Sequence, residues 1–134
     1  MTSQIKRLSK LDVPPHPHIG LLTLIYLFEG AIMHRDSLGT ELEIQPRAIN
    51  WRTAEKGVVH SERTPKYLRT MDKNLHGLQI WVDLPKNLEN CVPSFTHIEV
   101  KNIPYWEQDN GYIKLISGTA LEENLLYPLT VDFH

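Results

Sequence analysis

Nine prolines and seven glycines cut this chain into short pieces, and that punctuation constrains its fold more than any other feature. Between the breaks lie short runs rich in Ile, Val, Leu, Tyr and Trp. They are IGLLTLIYLFEG (19–30), AIMHR (31–35), ELEIQP (41–46), AINWRT (48–53), VVHSER (58–63), LQIWVDLP (78–85), FTHIEV (95–100), YIKLISG (112–118) and LYPLTVDF (126–133). Turn residues bound them: Glu29-Gly30, Ser37-Leu38-Gly39, Asn110-Gly111 and Ser117-Gly118. Many short strands at this spacing predict an all-β sandwich or barrel. Leu24, Tyr26 and Phe28 alternate with Ile25 and Leu27, so this strand is apolar on both faces and is expected to be packed on both. Helical spacing is confined to Pro65–His76, where Leu68, Met71 and Leu75 fit a helix or a turn, and to the weaker stretch 120–126.

The 134 residues suit one domain spanning 1–134, with residues 1–13 as a poorly ordered lead-in. No apolar run approaches the roughly 18 residues that a membrane helix needs. The N-terminal stretch MTSQIKRLSKLDVPPHPH lacks the apolar core of a signal peptide. Fourteen basic and sixteen acidic residues leave a net charge of −2, without the basic stripe of a protein that binds nucleic acid directly. Cys91 is the one cysteine, so no disulfide forms within the chain, and a reducing cytosol is the expected location.

Two histidine pairs carry the chemistry. His16-Pro17-His18 places two imidazoles two residues apart, and His60-Ser61-Glu62 places an imidazole and a carboxylate at the same spacing. Residues i and i+2 of a strand share a face. Two such strands facing one another would gather three imidazoles and one carboxylate, leaving octahedral positions open, which suits iron, manganese or nickel. Structural zinc would more often use thiolates. The spacing alone is inexpensive: with seven histidines, an HxH pair arises by chance in about one of three such chains. His97-Ile98-Glu99 supplies an internal decoy. The bland alternative puts His16 and His18 at an exposed strand start and His60 and Glu62 on a polar strand face. Pro17 lacks an N–H, which confines its segment to a strand start or edge.

Taken together, HPHIGLLTLIYLFEG (16–30), IMHRDSLG (32–39), INWRTAEKGVVHSERTP (49–65), HGLQIWVDLP (76–85) and the IKLISGTA and LYPLTVDF segments resemble the pirin family of the cupin superfamily. The resemblance covers nearly all of residues 14–133. It implies a cupin-type, jelly-roll β-barrel holding one mononuclear first-row metal ion. Iron, as Fe(II) or Fe(III), comes before Mn, Ni, Co, Cu or Zn. The ligands it implies are His16, His18, His60 and Glu62, with the His97/Glu99 strand supplying none. It also implies either of two activities. One is a quercetinase-like dioxygenase that takes a flavonol or similar enol together with dioxygen, with Glu62 as ligand and base. The other is a non-catalytic, iron-dependent redox sensor that reports to a protein partner.

The chain departs from the family pattern in several places. Pirins carry two cupin domains and a longer lead-in, and only 15 residues precede His16 here. The family's Pro-Gly-Asp turn reads Pro46-Arg47-Ala48, and its Ala-Gly-Arg-Gly reads Ala54-Glu55-Lys56-Gly57. Leu22 stands where many cupins have a carboxylate, whose place Glu62 takes. Missing strands and a missing second domain would leave the barrel open at its N-terminal edge, and unpaired edges invite a homodimer or strand-exchanged assembly. Of the remaining residues, His34 is expected to bond Asp36 in a turn and His76 to sit at a turn or surface. Trp51, Trp81 and Met33 are expected in the core, Cys91 as an inert thiol, and His134 as a disordered terminus.

Overall fold

In the computed structural model, residues 2–5, 12–54, 56–88, 90–108, 111–120 and 123–125 are described. The segment 126–133, His134, Asn110 and residues 1 and 6–11 of the lead-in lie outside them. The chain divides into two compact units, Met1–His97 and Ile98–His134.

The first unit is built of antiparallel strands. In order they are β1 (Thr2–Ile5), β2 (Val13–His18), β3 (Leu21–Glu29), β4 (Ile32–Asp36), β5 (Glu41–Ile44), β6 (Ile49–Thr53), β7 (Val58–Arg63), β8 (Lys73–Asp83) and β9 (Ser94–Ile98). One sheet has the order β1-β8-β3-β6-β9, and the other the order β2-β7-β4-β5. The proline-rich β2 is an edge strand, as its missing N–H groups require. Its pairing with β7 slips between Val13 and His16, a bulge that takes up Pro14 and Pro15.

Period-two alternation decides what lies between the sheets. Ile25 and Leu27 of β3 meet Ile32 of β4 and Ile44 of β5 in one buried cluster, with Leu75 of β8 packed against it. Register extends each inner face from there. Thr23 and Ile25 lie opposite Arg52 and Asn50 of β6, and opposite Trp81 and Gln79 of β8. The other face of the first sheet is buried too, at Leu22, Leu24, Tyr26, Ile49 and Trp51. The strand Leu21–Leu27 is thus packed on both sides, as its sequence predicts, while Phe28 at its end is exposed.

Several local expectations are corrected. Over 65–76 only Lys66–Leu68 forms a single 3-10 turn, and β8 begins at Lys73. The apolar spacing of Leu68, Met71 and Leu75 reads out as extended chain because Leu75 joins the core from a strand. In the second unit, the described residues of the stretch expected to be weakly helical, 120 and 123–125, are also extended. There β12 (118–120) pairs with β13 (123–125), after a hairpin of β10 (Tyr105–Gln108) and β11 (111–114). Trp81 is 59% exposed rather than core, whereas Trp51 is buried. No described helix is long and apolar enough to cross a membrane.

Two of the positive-φ positions among the described residues bear on stability. Arg47 stands at φ +70°, a conformation that suits glycine, with its N–H bonded to the Leu27 carbonyl. Gly30 stands at φ +87°, and a Cβ there would lie 2.5 Å from the Asn74 carbonyl oxygen. Arg47→Gly should therefore raise stability by about 0.5–1 kcal/mol, and Gly30→Ala should lower it by about 2 kcal/mol or more. Urea unfolding of both variants checks the pair of opposite signs.

Candidate metal centre

The inner face of the second sheet is polar at one end, and strand register explains why. His16 lies directly opposite His60, and His18 opposite Val58. Across the next pair, His34 lies opposite Glu62 and Asp36 opposite His60. All six polar side chains therefore emerge on one face. His16, His18 and His60 converge, each offering one nitrogen, with these atoms all within 4.8 Å of one another.

Hydrogen bonds settle where the protons sit. The Pro14 carbonyl lies 2.9 Å from His16 Nδ1, so Nδ1–H donates to it and Nε2 keeps its lone pair. His34 Nε2–H donates to Asp36 Oδ2 at 3.0 Å, which leaves a lone pair on His34 Nδ1. That lone pair faces His60 Nδ1 at 3.5 Å, and Glu62 Oε1 approaches the same nitrogen at 3.7 Å. With acceptors on both sides, Nδ1 of His60 carries the proton. The Nε2 atoms of His60 and His16 then turn lone pairs toward each other at 2.9 Å. Two lone pairs at that distance repel, and either a proton, as N–H···N, or a metal ion between them relieves the repulsion.

A metal fits this spacing. Metal–imidazole bonds of about 2.0–2.1 Å place two ligands at a right angle about 2.9 Å apart, and tetrahedral ligands about 3.4 Å apart. His18 Nε2 is buried with no hydrogen-bond partner, a third lone pair free to bind. Among the described residues, these three nitrogens could hold one metal ion, with positions left for further ligands.

Burial opposes protonation of His18, His34 and His60. His60 is pushed down to about 2 and His18 to about 4, first by burial, then by the positive Arg52 and then by neighbouring imidazoles. Burial also lowers His34, against the pull of Asp36. Asp36 would be raised by burial, but bonds from His34 and the Thr40 backbone hold it below the usual carboxylate range. Glu62 is raised by burial, with Arg52 and His16 opposing.

The three predicted histidines are thus brought together. Glu62 shares their face but sits beside Nδ1 of His60, outside the group of three converging nitrogens. The decoy pair is engaged elsewhere: His97 Nδ1 bonds Asn50 Oδ1 at 2.7 Å, and Glu99 pairs with Lys101. His76 lies on β8 with its ring against Phe28. His34 bonds Asp36 as expected, but from a buried strand rather than a turn, with its ring stacked on Phe95. Three neighbours were not placed at the site by the sequence reading. His34–Asp36 has the same two-residue spacing as the ligand pairs. Arg52 is a lone charge inside an otherwise uncharged strand, and Trp81 meets the His18 ring edge-on at 5.7 Å.

These features define a cupin-fold protein with a histidine cluster that could hold a metal. A family model, Pirin, matches residues 1–82. The chain belongs to the pirin family. A Caulobacter vibrioides pirin-like protein is 50% identical over 110 residues, which cover 81% of this chain and 38% of the relative. The crystal structure of a quercetin 2,3-dioxygenase from Acinetobacter baumannii matches with a TM-score of 0.81 at 36% identity, over 96% of this chain and 40% of that one. The Escherichia coli pirin YhhW in complex with nickel(II) matches with a TM-score of 0.58 at 26% identity, over 72% of this chain and 37% of that one. The chain spans about two-fifths of these relatives' length.

Two outcomes follow from the proton arrangement. The unfolded chain protonates its histidines near pH 6.5, while folded His18 and His60 resist to about 4 and about 2. The unfolded state therefore binds more protons below pH 6.5. Stability of the metal-free protein is full above that pH and falls as pH drops from about 6.5 toward 4, by about 1.4 kcal/mol per pH unit for each histidine. His60→Gln should make the slope shallower in melts recorded across this range. Separately, Asp36→Asn keeps an oxygen for the Leu38 and Thr40 amides but presents an NH2 group to His34 Nε2, forcing its proton onto Nδ1 against His60. Chelator competition should show metal affinity weakened about 10-fold or more, with His97→Gln unchanged.

Proposed function

We propose that this chain is the metal-binding part of a quercetinase-like dioxygenase that acts on a flavonol or similar enol. The observation that carries the reading is the convergence of three imidazole lone pairs on one buried sheet face. The structural match to a quercetin 2,3-dioxygenase supports the substrate class. His16, His18 and His60 hold the ion, which we assign as iron, and Glu62 moves in as fourth ligand. A metal bound there supplies Lewis acidity toward substrate oxygens and an electron path to dioxygen.

The chain's own groups do the rest. Glu62, raised by burial, accepts the enol proton at Oε1, which has no hydrogen-bond partner in the resting site. Trp81, exposed and in ring contact with His18, offers a flat face against which an aromatic substrate can stack. A reducing cytosol fits the lone Cys91.

A second reading, an iron-dependent redox sensor with a protein partner, draws on one observation. Leu78 and Ile80 share a sheet face with Tyr26 and Leu24 yet are more than a third exposed, beside exposed Phe28. A further copy of the chain is the partner such an apolar edge would take first, giving a homodimer.

Metal analysis of freshly purified protein should find close to one equivalent of a first-row metal, restorable with Fe(II) without oxygen. Oxygen uptake with a flavonol should fall about 100-fold or more in Glu62→Gln and stay unchanged in His97→Gln. A protein that cannot be loaded overturns the reading. Loaded protein that ignores flavonols but captures a partner only as Fe(II) or only as Fe(III) transfers it to the sensor.

A further inference from the structure

Arg52 is the most isolated charge among the described residues. It lies in the middle of β6 on the inner face of the first sheet, opposite Thr23, and is 2% exposed. Nε, Nη1 and Nη2 are all buried, and none has a hydrogen-bond partner. Glu62 and Asp36 attract it from the facing sheet, and it in turn opposes protonation of His18, His34 and His60. It therefore looks across the interior at the histidine cluster. Among the described residues, no carboxylate is in ion-pair contact with it. Asp36 is already committed to His34 and to two turn amides. Glu62 Oε1, also buried, has no hydrogen-bond partner of its own. A cation and a carboxylate thus share one dry interior without touching.

Such an arrangement is costly unless something enters it. A guanidinium carries five N–H donors in a planar fork that matches two oxygens side by side. Left unpaired in the interior, it is destabilising. Charge points the same way. Neutral imidazoles add nothing, so a divalent metal and Arg52 bring three positive charges against the two of Asp36 and Glu62. The loaded interior is one anion short of balance.

We propose that Arg52 is an anion clamp, and that the ligand of this site is an organic oxyanion, an enolate or a carboxylate, held between the guanidinium and the histidine cluster. The proposal rests on the metal-site reading and narrows its substrate to one bound as an anion. The clamp sits on the first sheet and the ion on the second, so a bound oxyanion spans the two.

The test uses Ni(II)-loaded protein with dioxygen excluded, which keeps turnover out of the readout, and two probes, 3-hydroxyflavone and benzoate. Flavonol ionisation is followed by its long-wavelength absorbance band. Wild-type protein should bind the flavonol with the anion band present at neutral pH. Arg52→Met should bind it about 10- to 100-fold more weakly and without that band, and Arg52→Lys should fall between. Metal-free Arg52→Met should melt at or above the wild-type temperature, since it removes an unpaired buried charge. Equal flavonol binding by wild type and Arg52→Met overturns the clamp while leaving the dioxygenase reading intact. Arg52-dependent binding of benzoate alone supports the clamp and removes the flavonol as substrate. Failure of both probes to bind wild type, or a lower melting temperature for metal-free Arg52→Met, overturns the clamp. The lower melting temperature would make Arg52 a structural brace.

Discussion

The pairing of β2 with β7 is the constraint on which the site depends. Because His16 lies opposite His60, two imidazoles meet on one face, and His18 joins them two residues on. A slip of one residue would turn His16 and His18 to the other face of the sheet. The prolines that weaken β2 as a strand also hold that register. Pro14 and Pro15 occupy a bulge, and the Pro14 carbonyl accepts the His16 proton. One short edge segment therefore places two ligands and sets the tautomer of the first.

The second constraint is electrical. Asp36 anchors the proton on His34, His34 turns a lone pair to His60, and His60 turns one to His16. Each bond decides the next, so a carboxylate on the β4–β5 hairpin helps decide what His16 and His60 present to an ion. Burial reinforces this by opposing protonation of His18, His34 and His60, at a cost in stability that grows as pH falls.

Much of this was legible in the sequence because it follows from a period of two. Strands β3 to β7 and β9, the edge position of HPH, and the pairing of HxH with HxE come from spacing and from proline's missing N–H. The decoy at His97 shows where spacing fails. It has the ligand motif, but it lies on the first sheet, with its ring bonded to Asn50 of the neighbouring β6. What was not legible depends on which sheet faces which. Trp81 reads as core from its strand, yet it lies at the open side beside His18. Leu75 reads as a helix position, yet it packs from β8 onto Ile25 and Ile32. Local pattern tells which residues share a face, and the opposing sheet decides what that face meets.

That division also separates two tasks. The second sheet supplies the imidazoles and Glu62. The first supplies Arg52, Thr23 and the ring of Trp81, on a face that continues directly from the apolar cluster of Ile25 and Leu27. Metal affinity is then set by β2, β4 and β7, and ligand preference by β3, β6 and β8. Substitutions on the first sheet can change what is bound without disturbing the donors that hold the ion. Fold and metal site can therefore stay constant while the ligand changes, and in this chain Arg52 is the residue on the first sheet whose charge has no other use.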